Sequence, residues 1–376
     1  MQLPCPSEPD IDALLSLGRQ GRLETPTITT PTLKPSYRRG SSSSLHPEHQ
    51  GVGNAVATHY NNLQENTRKE RESSRIVCMR KFNNWIKSCF INTFLDEIRN
   101  QNVANYPIRV LDLSCGKGGD LLKYKKRIRH LIMADIAETS VAQAKSRYTT
   151  NNSLGYSAEF ISTDCTKTRL RDLLDQPDQQ VDLVSCQFAL HYCFESLPQV
   201  ETMLRNVSEN LKQGGYFIAT MPNAYEVEKR LRESDGVTFD NEIFRIQFPR
   251  DRPANPPLFG DKYNFHLEGV VDCPEFLVHP PTLDKFCARH GLKPMWRKPF
   301  ATLFNEGHKD KEGAKLLGIM KALELFPESE QASQDPEEYL HAREHMSKNN
   351  LKKVRTLTKS EWEAIGLYVA CAYIKV

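Results

Sequence analysis

The sequence predicts an α/β domain built on a doubly wound, mostly parallel sheet and preceded by a low-complexity tail. Three observations predict this fold. Short apolar runs alternate with helical patterns from residue 109 to residue 221, glycines follow the first of these runs, and the N-terminal part is rich in Ser, Thr, Pro and Gly. Strands that alternate with helices form parallel sheets that carry helices on both faces.

Length and composition exclude several classes of protein. With 376 residues and 39% apolar side chains, the chain can bury a sizeable core, which excludes a fibrous or wholly disordered protein. The formal net charge is only +3, so any nucleic-acid site must be local. The longest strongly apolar run, residues 367–374, is too short to span a bilayer, and the N-terminus lacks a secretory pattern. We therefore expect a soluble, intracellular protein without membrane contact.

The ten cysteines are spread singly along the chain. They form no C-x-x-C pair and no Cys/His cluster at zinc-finger spacing. We therefore expect reduced, mostly buried thiols, with neither a disulfide framework nor a metal site.

The elements can be assigned in chain order. Residues 1–58 contain few aromatic side chains and bury too little apolar surface to offset the entropy of ordering, which predicts a flexible tail. Apolar side chains at three- and four-residue steps in residues 78–101 predict an amphipathic helix. The alternation then gives strands at 109–113, 131–134, 158–161, 181–186 and 216–221, and helices at 119–129, 138–148 and 197–211.

Residues 235–281 interrupt this alternation. Prolines punctuate them and aromatic side chains lie between the prolines, which predicts an insertion or lid at the ligand edge of the sheet. A helix at 283–289, a strand near 295–302 and a last strand within 366–374 complete the domain, which we expect to span residues 59–376. The mixed-charge helical patterns of residues 308–350 predict a surface excursion.

The first strand ends in a turn that is suited to binding a cofactor. Gly116, Gly118 and Gly119 let the backbone turn tightly and approach a ligand. Asp135 ends the next strand, where a carboxylate can accept hydrogen bonds from both ribose hydroxyls of an adenosine. Together they predict an adenosine pocket at the carboxyl ends of the strands. An ordinary tight turn with a solvated aspartate is the alternative.

The loop alone leaves two cofactors open, a nicotinamide dinucleotide and S-adenosylmethionine. Asp112, just before the turn, suits a cationic amino-acid group better than a pyrophosphate, which it would repel. Asp164, at the end of a later strand, can accept a hydrogen bond from an adenine amino group. These carboxylates favour S-adenosylmethionine.

Seven segments carry a family resemblance. They are His-Tyr-Asn at 59–61, Phe-Asn-Asn-Trp-Ile-Lys at 82–87, Leu-Asp-Leu-Ser-Cys-Gly-Lys-Gly-Gly-Asp-Leu-Leu-Lys at 111–123, Ser-Cys-Gln-Phe-Ala-Leu-His-Tyr at 185–192, Gly-Gly-Tyr-Phe-Ile at 214–218, Leu-Glu-Gly-Val-Val-Asp at 267–272 followed by Pro-Glu-Phe-Leu-Val at 274–278, and Leu-Thr-Lys-Ser-Glu-Trp-Glu at 357–363. With these motifs the chain resembles the eukaryotic mRNA cap guanine-N(7) methyltransferases from about residue 59 to its C-terminus. The resemblance implies a Rossmann-like class I methyltransferase with a seven-stranded sheet and a cap-binding insertion.

The resemblance also implies the site residues. It places the cofactor beside Lys87, Asp112, Ser114, Gly116, Asp135, Asp164, Gln187 and Tyr192. It places the cap beside Asn83, Asn84, Lys117, Lys123, Arg147, His191, Pro222, Glu268 and Tyr368. In the family a glycine usually stands where this chain has Ser114, so a positive φ there would cost on the order of 1 kcal/mol.

Chemistry supports three of these expectations. Nitrogen 7 of guanine attacks with a lone pair that carries no proton, so no catalytic residue is expected and orientation must do the work. A carboxylate such as that of Glu268 can accept from both N–H groups on the Watson-Crick edge of guanine and reject adenine. The basic segment after the glycines can attract the triphosphate, and Lys125, Lys126, Arg127 and Arg129 are expected to attract RNA in general.

Two rival functions stay open. One is a methyltransferase for another substrate, and the other is a catalytically silent cap- or RNA-binding subunit of the same fold. The resemblance further implies capped RNA as the partner and the nucleus as the location, although no compact import signal is visible. We expect a monomer. An activating subunit or the transcription machinery is a further candidate partner that the sequence does not identify.

Overall fold

The computed structural model describes residues 52–62, 73–151, 153–328, 333 and 335–376. Most of the predicted tail, residues 1–51, lies outside these described residues. The described part begins with helix α1 (Val52–Asn62), which crosses the predicted domain boundary at residue 59. That boundary needs correction, because residues 52–58 are helical and only 6% of Val56 is exposed.

The other helices and strands follow in chain order. The helices are α2 (Val77–Asn100), α3 (Glu138–Thr149), α4 (Leu197–Asn210), α5 (Ala224–Glu233), α6 (Pro280–Arg289), α7 (Phe300–Gly307), α8 (Lys311–Met320), α9 (Leu340–Lys348) and α10 (Lys359–Gly366). The strands are β1 (Arg109–Leu113), β2 (His130–Asp135), β3 (Ser157–Ser162), β4 (Val181–Gln187), β5 (Leu211–Pro222), β6 (Thr238–Asp240), β7 (Phe244–Gln247), β8 (Lys262–Leu267), β9 (Val271–Phe276), β10 (Leu292–Pro299), β11 (Glu324–Phe326), β12 (Val354–Thr356) and β13 (Tyr368–Lys375).

Among the described residues, seven strands form the central sheet, in the order β10-β13-β5-β4-β1-β2-β3. The strands from β5 to β3 pair in parallel, whereas β13 runs antiparallel to both β5 and β10. The chain leaves β1 toward β2 and later returns to β4 on the other side of β1, so the strand order reverses there. Ligands bind outside the carboxyl ends of the strands at such a reversal. The predicted doubly wound, mostly parallel sheet is confirmed.

The predicted insertion contains a second sheet. Strands β6, β7, β8 and β9 pair antiparallel in that order, within residues 235–281. Alternate side chains of β8 are buried, namely Tyr263, Phe265 and Leu267, so this sheet packs one face against the body of the domain. The predicted surface excursion at 308–350 contains β11, which pairs with β12, in addition to helices.

Helix α2 forms much of the core, as its apolar pattern predicts. Phe82, Trp85, Ile86 and Phe90 are all at most 3% exposed. The indole N–H of Trp85 donates a hydrogen bond of 2.9 Å to the carbonyl of Gly313, which ties α2 to α8. Within the described ranges, no helix has the length and apolar content needed to cross a bilayer.

Two predicted elements differ from the structure. Residues 119–129 form only a short 3₁₀ helix (Leu121–Tyr124), because Lys126 adopts a φ of +57° that a right-handed helix cannot include. The strand expected near 295–302 ends at Pro299, and α7 begins at Phe300. Proline lacks the N–H that a further ladder hydrogen bond would need, and Pro299 is the N-cap residue of α7.

Candidate active site

A cavity of about 310 Å³ opens where β1, β2, β3 and β4 end. Most of the predicted cofactor residues line this cavity, which places them in one site although they are spread over a hundred residues of chain. They are Lys87, Ser114, Gly116, Asp135, Asp164, Gln187 and Tyr192. Asp112 is buried on β1 and does not line it.

The glycine turn has the backbone that the sequence predicts. Gly116 and Gly118 have φ values of +52° and +72°. A Cβ on Gly118 would lie 2.9 Å from Leu121 Cδ1 and 3.1 Å from Ala144 Cα, so no side chain fits between the turn and α3. Ser114 has a φ of +59°. In this left-handed conformation a serine is less stable than a glycine by on the order of 1 kcal/mol.

Two carboxylates are fixed at the ends of β2 and β3. Asp135 accepts hydrogen bonds of 2.8 Å from the backbone amides of Gly116 and Ala137, one on each carboxyl oxygen. Burial raises the pKa of Asp135, and these two amides partly offset that effect. Asp164 accepts a 2.6 Å hydrogen bond from the Thr166 hydroxyl and lies 3.2 Å from Lys167 Nζ. Both carboxylates keep lone pairs for a ligand.

A buried charge cluster lies beside the cavity. Asp120 forms ion pairs of 2.7 Å with Lys87 and 3.0 Å with Lys123, and Lys123 also donates to the side chain of Asn84. Burial alone would raise the pKa of Asp120, but the two ammonium groups outweigh it and lower this pKa to about 2. Asp120 therefore stays ionised and holds both lysines in place. Asp120 was not among the predicted site residues.

Asp112 differs from the other described carboxylates around the cavity because it lacks a full set of partners. It is 2% exposed, and its Oδ2 atom is buried without a hydrogen bond. Burial, followed by the charge of Asp120, raises the pKa of Asp112 well above its ordinary value. A buried acceptor without a donor is costly, so a cationic donor bound in the cavity would stabilise the ionised form.

Helix α1 closes one side of the cavity. Gly53 and Val56 belong to the lining, and a Cβ on Gly53 would lie 3.6 Å from Asp164 Oδ2. The helix is held by a 2.8 Å hydrogen bond from the Val52 amide to Glu195 Oε1 and by contact between Asn61 and Thr139. Residues 52–58 were predicted to belong to the tail, so this wall of the cavity was not predicted.

A second group of side chains adjoins the cavity at the ends of β4 and β5. Phe188 has a φ of +61°, and its amide is held by the backbone carbonyl and the hydroxyl of Thr220. Its ring packs edge-on against Tyr368 at 5.0 Å, and Tyr368 lies opposite Pro222 in the β13–β5 pair. Pro222 and Tyr368 were predicted, whereas Phe188 was not. Strain at a non-glycine residue often marks a ligand site.

A buried glutamate in β9 completes this group. Glu275 is 3% exposed; it lies 3.3 Å from His191 Nε2 and 3.4 Å from the hydroxyl of Tyr192, which lines the cavity. Its second oxygen accepts a 2.8 Å hydrogen bond from Tyr263. His191 is 2% exposed, and its ring centroid lies 4.3 Å from that of Tyr192, with the two ring planes tilted by 38°. The structure thus joins two predicted residues to a carboxylate that was not predicted.

Glu268, the predicted guanine carboxylate, lies elsewhere. It is exposed in the turn that joins β8 to β9, and its amide donates to the carbonyl of Ile243. Four residues of strand, roughly 13 Å, separate the start of β9 from Glu275. The structure does not bring Glu268 into the group around the cavity, because Glu268 lies in the hairpin turn whereas Glu275 lies near the other end of β9. Cys273 and Glu275 occupy the inward positions of β9, and an acid at an inward position was the available signal.

The remaining residues that were predicted to contact the cap lie on α2, the glycine turn and α3. Asn83 and Asn84 are partly buried on α2, Lys117 is in the turn, and Arg147 is in the last helical turn of α3. Lys117 lies directly before Gly118, and Gly118 packs against Ala144 of α3. Ala144 is one helical turn from Arg147. Lys123 is mostly buried in the Asp120 cluster rather than open to solvent.

The basic segment after the turn separates into two parts. Arg127 forms an ion pair with Asp96 and a hydrogen bond with Asn92, so its charge is largely used within the fold. Lys125, Lys126 and Arg129 are exposed. The exposed charges of these three residues are consistent with the predicted attraction of RNA.

The fold and the site together define a class of protein. The strand order with β13 as the single antiparallel strand, the positive-φ turn after β1 and the acids that end β2 and β3 are those of a class I S-adenosylmethionine-dependent methyltransferase. The comparisons with known proteins then give the family. The mRNA (guanine-N(7))-methyltransferase domain model matches residues 44–376, and the chain belongs to this family.

Curated relatives agree with that assignment. The mRNA cap guanine-N(7) methyltransferase of Drosophila melanogaster is 47% identical over 332 residues, which cover 85% of this chain and 76% of the relative. The enzyme of the same description from Caenorhabditis elegans is 37% identical and covers 85% of this chain and 86% of the relative. That of Schizosaccharomyces pombe is 36% identical, with coverage of 77% and 79%.

Proposed function

We propose that this chain is an mRNA cap guanine-N(7) methyltransferase, which transfers a methyl group from S-adenosylmethionine to nitrogen 7 of the terminal guanine of capped RNA. One observation carries the proposal. Tyr192 lines the cavity, and its hydroxyl lies 3.4 Å from the buried carboxylate of Glu275, so a cofactor site and a base-recognition site share a boundary. A methyl donor and a guanine held on the two sides of that boundary would be neighbours.

The cavity suits S-adenosylmethionine. Lys87, which lines the cavity, would donate to the carboxylate of the cofactor. Asp112 does not itself line the cavity, but its unpartnered Oδ2 is the buried acceptor that we propose for the ammonium group. Asp135 would hold the ribose hydroxyls and Asp164 the adenine amino group, while Ser114, Gly116 and Gln187 would line the remaining space. When bound, the cofactor supplies a methyl group on a positively charged sulfur. Asp120 contributes by holding the side chain of Lys87 in place at the rim of the cavity.

The chemistry asks little of individual side chains. Nitrogen 7 of guanine carries no proton, so no general base is required and the residues act by orientation and by excluding water. Orientation of two reactants can contribute up to about 7–11 kcal/mol to lowering the barrier. Positive charge also moves onto the guanine during transfer, and the carboxylate of Glu275, in a buried setting, would stabilise it.

Glu275 replaces Glu268 as the proposed guanine carboxylate. Guanine presents N1–H and the 2-amino group side by side, and one carboxylate accepts from both. Adenine would leave this buried acceptor without a donor, and sites of this kind discriminate by about 10⁴ or more. His191, Phe188, Pro222 and Tyr368 would form the walls around the base.

The cations near the turn are proposed to contact the rest of the cap. Lys117 and Arg147 would bind the triphosphate, and Asn83, Asn84 and Lys123 would line the side formed by α2. Lys125, Lys126 and Arg129 would attract RNA beyond the cap, with an affinity that falls as salt rises. We further propose that the enzyme works on nuclear transcripts as a monomer, and an activating subunit stays a prediction.

A methyl-transfer assay tests the proposed function. The protein is incubated with labelled S-adenosylmethionine and GpppA, with ApppA and the premethylated m7GpppA as matched controls. We expect label on GpppA alone. Cap binding without transfer would instead support the silent subunit, for which the strained Ser114 is the one structural argument. Absence of both binding and transfer would indicate a methyltransferase for another substrate.

A further inference from the structure

Three polar side chains lie around Glu275 at unequal distances. Tyr263 donates to Oε2 at 2.8 Å, whereas His191 and Tyr192 lie 3.3 and 3.4 Å from Oε1. Oε2 therefore has the short contact, and Oε1, the oxygen nearer the cavity-lining Tyr192, has the two long ones.

Tyr263 is placed to hold that contact permanently. It lies directly opposite Glu275 in the register of β8 and β9, so the two side chains share the inward face of one antiparallel pair. It is 1% exposed, and its ring packs 5.2 Å from that of Phe248. Burial, followed by the charge of Glu275, raises the pKa of Tyr263 well above its ordinary value, so the phenol remains a donor.

The last torsion of a glutamate is broad, so its carboxylate rotates readily unless another group fixes it. A guanine edge needs both oxygens in one plane, one for N1–H and one for the 2-amino group. A donor on Oε2 fixes that plane and still leaves lone pairs, because a carboxylate offers about four acceptor sites.

We propose that Tyr263 is a specificity-determining positioning residue, which orients the Glu275 carboxylate so that both of its oxygens meet the guanine edge. This inference rests on the proposed function, since it deepens the role given there to Glu275. Tyr263 acts through Glu275 and does not touch the base itself.

The test compares Tyr263→Phe with two other variants. Tyr339→Phe is a matched control, because Tyr339 is also 1% exposed and donates a 2.7 Å hydrogen bond to a buried glutamate, Glu324, outside the site. Glu275→Gln reports on the carboxylate itself. Each protein is assayed for kcat and KM with GpppA and with the inosine cap IpppA, which lacks the 2-amino group, and for S-adenosylmethionine affinity.

We expect Tyr263→Phe to raise KM for GpppA about tenfold, the scale of one hydrogen bond to a charged group. The KM for IpppA should rise less, so that the preference for guanine over inosine narrows. Its kcat and cofactor affinity should stay near wild type, and Tyr339→Phe should change neither substrate preference nor KM.

Three results would count against the inference. An unchanged guanine preference in Tyr263→Phe, while Glu275→Gln loses it, would remove Tyr263 from recognition. A general structural role would be shown instead if Tyr263→Phe lost cofactor affinity, or if its kcat fell by the same factor by which its KM for GpppA rose. Failure of the proposed function is distinguishable, because wild-type protein would then leave GpppA unmethylated, or Glu275→Gln would keep full preference for guanine.

Discussion

The carboxylate of Glu275 lies 3.3 Å from the imidazole Nε2 of His191, and both side chains are at most 4% exposed. Glu275 belongs to the inserted sheet, whereas His191 follows β4 of the central sheet. The insertion is therefore not only a cover for the site. It supplies a buried polar group to the same cluster that the central sheet builds.

The first prediction concerns the two glutamates of the β8–β9 hairpin. Glu275→Gln should reduce kcat/KM for GpppA at least a hundredfold, because an amide offers one acceptor where guanine presents two donors. Glu268→Gln should stay near wild type, since Glu268 is exposed in the turn. Steady-state kinetics and S-adenosylmethionine titration check both. Equal losses in the two variants, or a loss in Glu268→Gln alone, would reverse the assignment.

The second prediction concerns Asp120. Asp120→Asn should weaken S-adenosylmethionine binding at least tenfold, because Lys87 and Lys123 would face each other without the anion between them. Asp96→Asn is the control, since Asp96 forms an ion pair with Arg127 but is more than half exposed. Calorimetric titration measures the affinities. Unchanged cofactor binding in Asp120→Asn would show that the cluster serves only the fold.

Asp120 also predicts a pH dependence of stability. In the folded protein the pKa of Asp120 is lowered from 3.8 to about 2. The ionised carboxylate therefore stabilises the fold at pH values above 3.8, its ordinary pKa. That stabilisation is lost as the pH falls through the folded-state pKa of about 2. Denaturant unfolding between about pH 5 and about pH 2, where carboxyl groups titrate, gives the free energy of unfolding at each pH. This free energy should fall less steeply with decreasing pH for Asp120→Asn than for wild type. Parallel profiles would contradict the lowered pKa.

The third prediction concerns Ser114, whose φ of +59° favours glycine. Ser114→Gly should relieve strain of on the order of 1 kcal/mol, partly offset by the greater freedom of glycine in the unfolded chain. We expect a slightly higher melting temperature and a several-fold gain in S-adenosylmethionine affinity. Ser114→Ala is the control, because alanine keeps the Cβ. A gain of the same size with alanine would point to the hydroxyl and not to the backbone.

The fourth prediction concerns the N-terminal boundary. A chain that begins at residue 51 should keep cofactor affinity, whereas one that begins at residue 63 should lose at least tenfold, because α1 carries Gly53 and Val56 of the cavity wall. Equilibrium binding to both truncated proteins gives the comparison. Equal affinities would restore the boundary originally expected at residue 59.

The alternation of strands and helices, the glycine turn and the acids after β1, β2 and β3 could all be predicted from sequence. These features are local, because period, turn chemistry and strand ends are set by near neighbours. The structure brings seven of the eight predicted cofactor residues to one cavity, namely Lys87, Ser114, Gly116, Asp135, Asp164, Gln187 and Tyr192, whereas Asp112 does not line it.

The choice between Glu268 and Glu275 could not be made in the same way. Both lie near one hairpin: Glu268 is exposed in its turn, whereas the register of β8 with β9 places Glu275 on the inward face, opposite Tyr263. A shift of one residue in that register would exchange the two faces of the strand. The inward position of Glu275 was visible in the alternation of β9, but His191, its partner, is more than eighty residues away in sequence.

The sequence by itself determined the class of fold, the cofactor loop and the family to which the chain belongs, because those depend on short segments whose physics is local. Tertiary structure alone decided that α1 walls the cavity, that Asp120 holds two lysines, and that Glu275 meets His191 and Tyr263. The contacts of α1 with the cavity, of Asp120 with Lys87 and of Glu275 with His191 join segments distant in the chain. Distance in sequence carries no information about which side chains packing will bring within a few ångströms.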